Sequence, residues 1–239
     1  MHYERLRGSG VPVVFLHGWG HSMENLRPLA GQMSQADRWL LDLPGFGATP
    51  IPPEVMAVED YARAVSGFIA AHGIDRPWLV GHSFGGKVAM ELASAHPEMV
   101  RGIFVIGGAG LRTPKTKAKV AAMRAAHAAA RLLRLTGTPW WRRLSGAAAS
   151  DDYRNAAPVM REILKMSLKH RTLRKAKSLR VPATLIYGRL DTTTPPSFGK
   201  RFARAIKGSR LFVLEGFDHN SILGDGKYQV AGIIADALG

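Results

Sequence analysis

The chain has 239 residues, 46% of them hydrophobic and 21% charged, a composition typical of a globular protein that can bury a core. It contains no cysteine, which excludes disulfides, thiolate chemistry and cysteine-based metal sites. Its 33 Lys and Arg residues against 18 Asp and Glu give a formal net charge of +15, which favours contact with an anionic partner.

The N-terminus, MHYERLRGSG, contains no apolar stretch of the kind found in secretory signals. No later run reaches the roughly 18 apolar residues that a membrane-spanning helix requires. We therefore expect a cytoplasmic protein.

Short apolar strands alternate with helices along the first half of the chain. The strands are predicted at 11–17, 38–43, 77–81 and 100–106, and the helices at 58–72 and 85–96. Beyond residue 180 the alternation resumes, with strands at 183–187 and 210–214 and helices at 198–206 and 228–238. This alternation predicts a parallel sheet that is covered by helices on both faces.

The segment 111–180 interrupts the alternation. It holds 18 Lys and Arg residues and 3 acidic ones, whereas the rest of the chain holds 15 of each. The stretches 117–135 and 156–170 have helical patterns, and no strand signal lies in the segment. We therefore predict a core formed by 1–110 and 181–239 and a strongly basic helical cap at 111–180. The charge indicates an anionic partner or, alternatively, a solvated surface.

The pentapeptide Gly81-His82-Ser83-Phe84-Gly85 matches G-x-S-x-G and lies between a predicted strand and a predicted helix. In that setting the pattern forms a sharp turn that presents a serine hydroxyl at a helix N-terminus. Glycine at positions 81 and 85 permits the turn, since larger side chains would clash there. We predict that Ser83 is a catalytic nucleophile; the alternative is a glycine-rich turn with an incidental serine.

A serine hydroxyl needs a base to act as a nucleophile. His219 follows the last predicted strand and is the predicted base. Asp191 follows the strand before it and is the predicted acid that orients the histidine. The chain order Ser, Asp, His is the one expected for a nucleophile on such a turn.

Other residues compete for these roles. Asp218 and Asp225 lie close to His219 in the sequence and are rival acids to Asp191. His82 is interpreted as structural, because its side chain should point away from that of Ser83.

The tetrahedral intermediate of acyl transfer carries an oxyanion that needs fixed hydrogen-bond donors. The backbone N–H of Phe84, directly after the predicted nucleophile, is one candidate. The second is the backbone N–H of Trp19 in the turn HGWG, which follows the first buried strand. The alternative for this turn is a plain glycine turn.

Five motifs resemble the α/β-hydrolase superfamily in their order and spacing: HGWG at 17–20, DLPGFG at 42–47, GHSFGG at 81–86, YGRLD at 187–191 and DHN at 218–220. The resemblance extends from about residue 11 to the end of the chain, with 110–180 matching only as a cap insertion. It implies a mostly parallel α/β-hydrolase sheet of about seven or eight strands flanked by helices. It also implies a triad of Ser83, Asp191 and His219, with oxyanion donors at Trp19 and Phe84. Members with an aspartate nucleophile are disfavoured, because Ser83 holds that position.

Two features depart from the family pattern. Only residues 1–10 precede the first buried strand, where the family usually has an additional strand, so we expect a sheet that is one strand shorter. The histidine turn reads FDHN, where many members have a glycine shortly before the histidine, so this loop is expected to be set differently.

The resemblance implies a serine hydrolase that needs no cofactor or metal and cleaves carboxylic esters or thioesters through an acyl-enzyme. The basic cap indicates a small-molecule ester that is anionic or carrier-bound, or contact with an acidic partner or a membrane surface. A lyase or carbon–carbon bond hydrolase would use the same triad on an anionic substrate, and a non-catalytic binding protein would use the fold alone. Nucleic acid is disfavoured as a partner, since only the WWRR run at 140–143 combines aromatic and basic residues.

Overall fold

The computed structural model describes residues 1–111 and 156–238, with short stretches at 121–122, 125–126, 128–132 and 138 between them. In this part of the chain seven strands form one sheet: β1 (Tyr3–Leu6), β2 (Pro12–Leu16), β3 (Asp37–Leu41), β4 (Trp78–His82), β5 (Gly102–Ile106), β6 (Ala183–Gly188) and β7 (Arg210–Leu214). The spatial order is β1-β3-β2-β4-β5-β6-β7. Strand β1 is antiparallel to β3, and every other neighbouring pair is parallel. The predicted mostly parallel sheet of seven or eight strands is therefore confirmed.

The first strand lies in the N-terminal segment, where the sequence predicted none. Its residues alternate between exposed and half-buried, and Arg5 forms a two-point ion pair with Asp37 of β3. A short, polar edge strand has no apolar run, so sequence periodicity does not reveal it.

The described helices are α1 (Arg27–Ala30), α2 (Val58–Ala71), α3 (Phe84–Ala95), α4 (Pro158–Lys169), α5 (Thr172–Lys177), α6 (Pro196–Ala205), α7 (Ser221–Gly224) and α8 (Lys227–Leu238), with 3₁₀ turns at Met23–Asn25 and Pro97–Met99. Helices α2, α3, α4, α6 and α8 match the predicted helices to within two residues at each end. Helix α5 was not predicted as an element of its own, because its sequence TLRKAK offers little apolar periodicity.

The sheet is buried on both faces, as β2 illustrates. Val14 and Leu16 belong to a core cluster shared with α2 to α6. Val13 and Phe15 point the other way, into a cluster shared with α1, α7 and α8. All four side chains are fully buried, which is the pattern of a central parallel strand.

The predicted division into core and cap stays a prediction. Helix α4 supplies the second predicted cap helix, and Met160 and Ile163 pack it into the cluster beside α2 and α3. Most of the first predicted cap helix, 117–135, and the WWRR run lie outside the described residues. Among the helices that are described, none is long and apolar enough to cross a membrane. The cytoplasmic location also stays a prediction.

Candidate active site

The proposed nucleophile lies in a sharp turn between β4 and α3. Strand β4 ends at His82, α3 begins at Phe84, and Ser83 between them has φ +50° and ψ −106°. A positive φ is strained for a residue with a Cβ atom and is found mainly where function or packing enforces it. The predicted strand–turn–helix setting of Ser83 is therefore present.

Glycine is required on both sides of this turn by close backbone approach. A Cβ atom at Gly81 would lie 2.5 Å from the carbonyl oxygen of Gly85, and one at Gly85 would lie 2.0 Å from that of Leu16. The N–H of Gly85 also donates to the carbonyl of His17 at 3.0 Å, which ties the start of α3 to the end of β2. The turn is thus fixed by neighbouring strands as well as by its own sequence.

The proposed acid and base come together beyond the ends of the neighbouring strands. Asp191 follows β6, His219 follows β7, and Asp191 Oδ2 lies 2.7 Å from His219 Nδ1. Asp191 is buried and only 14% of the His219 side chain is exposed, so the pair is largely shielded from water. Their separation in the sequence is 28 residues, and parallel strands are what bring them together.

The Asp191 carboxylate is held by more than the histidine. The Thr194 N–H donates to Asp191 Oδ1 at 2.7 Å, and the Thr194 hydroxyl lies 2.7 Å from Oδ2 and 3.0 Å from His219 Nδ1. Burial by itself raises the pKa of the Asp191 carboxyl, but the hydrogen bonds from His219 and from Thr194 outweigh it and lower that pKa. Asp191 is therefore held as a carboxylate.

Thr194 was not identified from the sequence, although the segment DTTT contains a signal for it. An aspartate side chain often accepts the N–H of a residue two or three positions later in a turn, which is the geometry seen here. The rival acids take other roles. Asp218 accepts the N–H groups of Asn220 and Ser221, and Asp225 caps the end of α7.

His82 contacts the proposed base through its side chain. Its Nε2 lies 2.9 Å from the backbone carbonyl of His219, and the two imidazole rings pack with centroids 4.7 Å apart. Burial, followed by the neighbouring His219, lowers the pKa of His82 to about 3. The structural role predicted for His82 is therefore to hold, as an uncharged ring, the loop that carries His219.

Ser83 and His219 lie on adjoining parts of one surface. The N–H of Ser83 donates to the carbonyl of Ile106, and a Cβ atom added at the next residue, Gly107, would lie 3.1 Å from His219 Nδ1. Between the residues that are described, no hydrogen bond joins the Ser83 hydroxyl to His219. Such a bond is often long or absent in hydrolases without substrate and tightens when substrate binds.

The two predicted oxyanion donors have no competing acceptor among the described residues. Neither the N–H of Phe84 nor that of Trp19 donates to a carbonyl or side chain there. The Trp19 indole packs edge-on against Phe84, with ring centroids 5.5 Å apart. The contact brings the turn after β2 alongside the start of α3.

His17 holds the Trp19 turn in place. Its Nε2 accepts the N–H of Leu43 at 3.0 Å, and its Nδ1 therefore carries the proton that is donated to the Gly18 carbonyl at 2.7 Å. Burial lowers the pKa of His17, in keeping with a neutral ring. This side chain links the HGWG turn to the DLPGFG segment.

One group of possible metal ligands occurs in the described part of the chain, away from this site. It comprises Glu59, Glu91 and His170, whose ligand atoms lie within 4.8 Å of one another. Lys175 Nζ lies 2.7 Å from Glu91 Oε1 and already supplies a positive charge there. The group is therefore satisfied without a metal ion.

The chain is similar to known proteins in sequence and in fold. The family model described as the alpha/beta hydrolase fold matches residues 11–225. The chain belongs to the α/β-hydrolase fold family. A pimeloyl-[acyl-carrier protein] methyl ester esterase of Neisseria meningitidis serogroup B is 31% identical over 231 residues, which cover 88% of this chain and 86% of that protein.

One further relative matches a shorter part of the chain, and one solved structure shares the fold at lower identity. A 2-succinyl-6-hydroxy-2,4-cyclohexadiene-1-carboxylate synthase of Salmonella arizonae is 33% identical over 122 residues, covering 50% of this chain and 48% of that protein. The structure of an esterase from Exiguobacterium antarcticum has a TM-score of 0.77 at 21% identity, covering 99% of this chain and 94% of that one. The predicted family, fold and enzyme class, a hydrolase of the carboxylic ester type, are confirmed.

Proposed function

We propose that the protein is a serine esterase in which Ser83 is the nucleophile, His219 the base and Asp191 the acid that orients it. The observation that carries this proposal is the buried Asp191–His219 hydrogen bond of 2.7 Å at the sheet edge where the Ser83 turn also lies. A carboxylate at Nδ1 holds the proton on that atom and leaves Nε2 free to accept one.

In acylation the Ser83 hydroxyl oxygen attacks the ester carbonyl while His219 Nε2 takes its proton. The oxyanion that forms accepts hydrogen bonds from the N–H groups of Trp19 and Phe84, which have no described partner in the resting protein. When the intermediate collapses, the bond to the alcohol oxygen breaks and His219 returns the proton to that oxygen. The products are a free alcohol and an acyl group on Ser83.

In deacylation a water molecule replaces the alcohol. His219 removes its proton, the resulting hydroxide attacks the acyl carbonyl, and the bond to Ser83 breaks as the proton passes to the serine oxygen. Asp191 stabilises the imidazolium in both steps without becoming protonated, in keeping with the lowered pKa of its carboxyl. Neither acylation nor deacylation, as proposed, requires a cofactor.

We further propose that the acyl group is anionic or is presented by an acidic carrier, as a small-molecule ester or a carrier-bound one. Two observations support this: the net positive charge of segment 111–180, and the 31% identity to an esterase that acts on an acyl-carrier-protein ester. Contact of the same segment with an acidic partner, or with an anionic membrane surface, would use the same charges.

The test combines labelling with an ester panel. One sample of wild type is treated with a serine-directed phosphonate, digested and mapped. A separate, untreated sample is assayed on p-nitrophenyl esters of neutral and carboxylate-bearing acyl groups at low and high salt. Modification of Ser83 with ester turnover supports the esterase, and a salt-sensitive preference for the anionic acyl groups supports the substrate class.

Two other outcomes would redirect the assignment. Labelled Ser83 with no turnover of any ester would favour a lyase or carbon–carbon bond hydrolase that uses the same residues. Absence of labelling in folded protein would favour a binding protein that uses the fold without its chemistry.

A further inference from the structure

A basic groove of about 660 Å³ lies at the carboxyl-terminal end of α3, the helix whose other end follows Ser83. Its walls are the carboxyl-terminal ends of α3 and α4, the start of α2 and one side of α5. Ser94 in its wall is eleven positions after Ser83, which corresponds to about 16 Å along α3. The groove is therefore separate from the proposed catalytic residues.

Positive charge dominates the lining of this groove. Four cationic side chains face one carboxylate, Glu59, and the cations are Lys169, Arg171, Arg174 and Lys175. In the part of the chain that is described, the first three form no ion pair with a carboxylate. Lys169, Arg171 and Arg174 are also exposed. Their charge is available to a ligand.

A buried polar cluster fixes the cationic wall to α3. Glu91 is 3% exposed and accepts hydrogen bonds from His170 Nε2 at 3.0 Å and from Lys175 Nζ at 2.7 Å. His170 also contacts the Thr172 hydroxyl at 2.9 Å. Because these contacts hold the start and the middle of α5, they preorganise the cations on either side of them.

We infer that this groove binds a small anion that carries two or more phosphate groups. Its volume is within the range of about 300–1,000 Å³ that is usual for small-molecule sites. Eleven described residues line it, fewer than the roughly 20–30 that one partner contributes to a stable protein interface. Guanidinium groups bind phosphate in a two-point geometry, and ammonium groups add point charge.

This inference goes beyond the proposed esterase and does not depend on it. The test measures binding of inorganic tripolyphosphate to the wild-type chain by calorimetry at low and moderate salt, with ATP as a second ligand. We expect saturable binding at one site and a rise in Tm with ligand. Equal affinity for both ligands would show that the groove recognises the phosphate groups alone, and tighter binding of ATP would show that it also recognises the nucleoside. Either result supports the inference.

Two charge-matched double variants separate the groove from bulk charge. Lys169→Gln with Arg174→Gln removes two groove cations, and Arg204→Gln with Lys207→Gln removes the same charge from exposed residues elsewhere. The groove variant should raise the Kd for tripolyphosphate about tenfold or more, and the control variant should raise it less than about twofold. Hydrolysis of a neutral p-nitrophenyl ester should be unchanged in both, because the groove lies apart from Ser83, Asp191 and His219, so failure here is distinguishable from failure of the proposed function.

Three results would overturn the inference. The first is an absence of saturable binding, and the second is equal weakening by the two double variants, which would indicate general electrostatic attraction. The third is binding of poly-glutamate that requires Lys169 and Arg174 when tripolyphosphate does not bind, which would assign the groove to an acidic protein.

Discussion

His82 Nε2 donates a hydrogen bond of 2.9 Å to the backbone carbonyl of His219, so the residue before the proposed nucleophile supports the loop that carries the proposed base. A carbonyl only accepts, which places the His82 proton on Nε2 and leaves Nδ1 as a buried atom without a partner among the described residues. We interpret His82 as a positioning residue for His219.

This role predicts different results for two substitutions of His82. His82→Leu removes the donor and should lower kcat/KM about tenfold, whereas His82→Gln, whose amide can donate to the same carbonyl, should recover most of that loss. Because the pKa of His82 is about 3, the ring is neutral throughout the assay range. The acidic limb of the pH–rate profile should therefore persist in His82→Gln. Loss of that limb would show instead that His82 is the titrating base.

Thr194 should contribute to activity through the Asp191–His219 pair. Thr194→Val keeps the backbone bond to Asp191 but removes the hydroxyl that lies 2.7 Å from Asp191 Oδ2 and 3.0 Å from His219 Nδ1. We expect kcat/KM to fall about tenfold, with little change in KM, because the orientation of the base is affected rather than binding. Thr193→Val, at an exposed neighbour, is the matched control. A kcat/KM equal to that of the control would contradict this role.

Gly85 should not tolerate a side chain. The added Cβ of Gly85→Ala would lie 2.0 Å from the Leu16 carbonyl oxygen, so the turn or β2 must shift. We expect the free energy of unfolding to fall by about 2–4 kcal/mol and activity to fall with it, since the Phe84 N–H moves. Gly67→Ala, at an exposed position of α2, meets nothing within 4 Å and should be neutral or stabilising by up to about 1 kcal/mol. Denaturant titration of both variants checks this; equal stabilities would refute the close approach.

The buried side chain of Lys87 should make the free energy of unfolding depend on pH. Its ammonium group is buried on α3, bonded to the Ser167 carbonyl and hydroxyl at 3.0 Å, and burial lowers its pKa to about 8 from 10.5. Between these values the unfolded chain binds more protons than the folded one, so stability rises with pH. This gain in the free energy of unfolding is complete above pH 10.5, where Lys87 is neutral in both states, and is lost as the pH falls through about 8.

The comparison that isolates this effect uses Lys87→Met, which keeps the length of the side chain without the charge. From pH 7 to 10 the wild-type free energy of unfolding should rise by roughly 2–3 kcal/mol relative to that of Lys87→Met. Denaturant titrations across that range provide the measurement. Parallel pH profiles for the two proteins would show that Lys87 titrates normally in the fold.

Much of the fold and of the site could be predicted because the signals are local. The central strands are continuous apolar runs, as in VPVVFLH and ATLIY, and parallel strands place the residues that follow them at one sheet edge. Asp191 and His219 were selected on that basis and Ser83 from its G-x-S-x-G turn, and the structure brings Asp191 and His219 into contact.

The remaining features depend on contacts that no local pattern encodes. The His82 bond to His219 joins residues 137 positions apart, and the Glu91 contacts with His170 and Lys175 span 79 and 84 positions. A single sequence carries no signal for such pairs. The edge strand β1 was missed for a different reason, because its half-exposed residues lack an apolar run.

The role proposed for Ser83 is tested most sharply by kcat/KM of Ser83→Ala on the ester that wild type cleaves best. Exposed Ser34→Ala serves as the matched control. We predict a loss of at least about 10³-fold in Ser83→Ala, with unchanged folding, and full activity in Ser34→Ala. Turnover by Ser83→Ala equal to that of wild type would exclude Ser83 as the nucleophile.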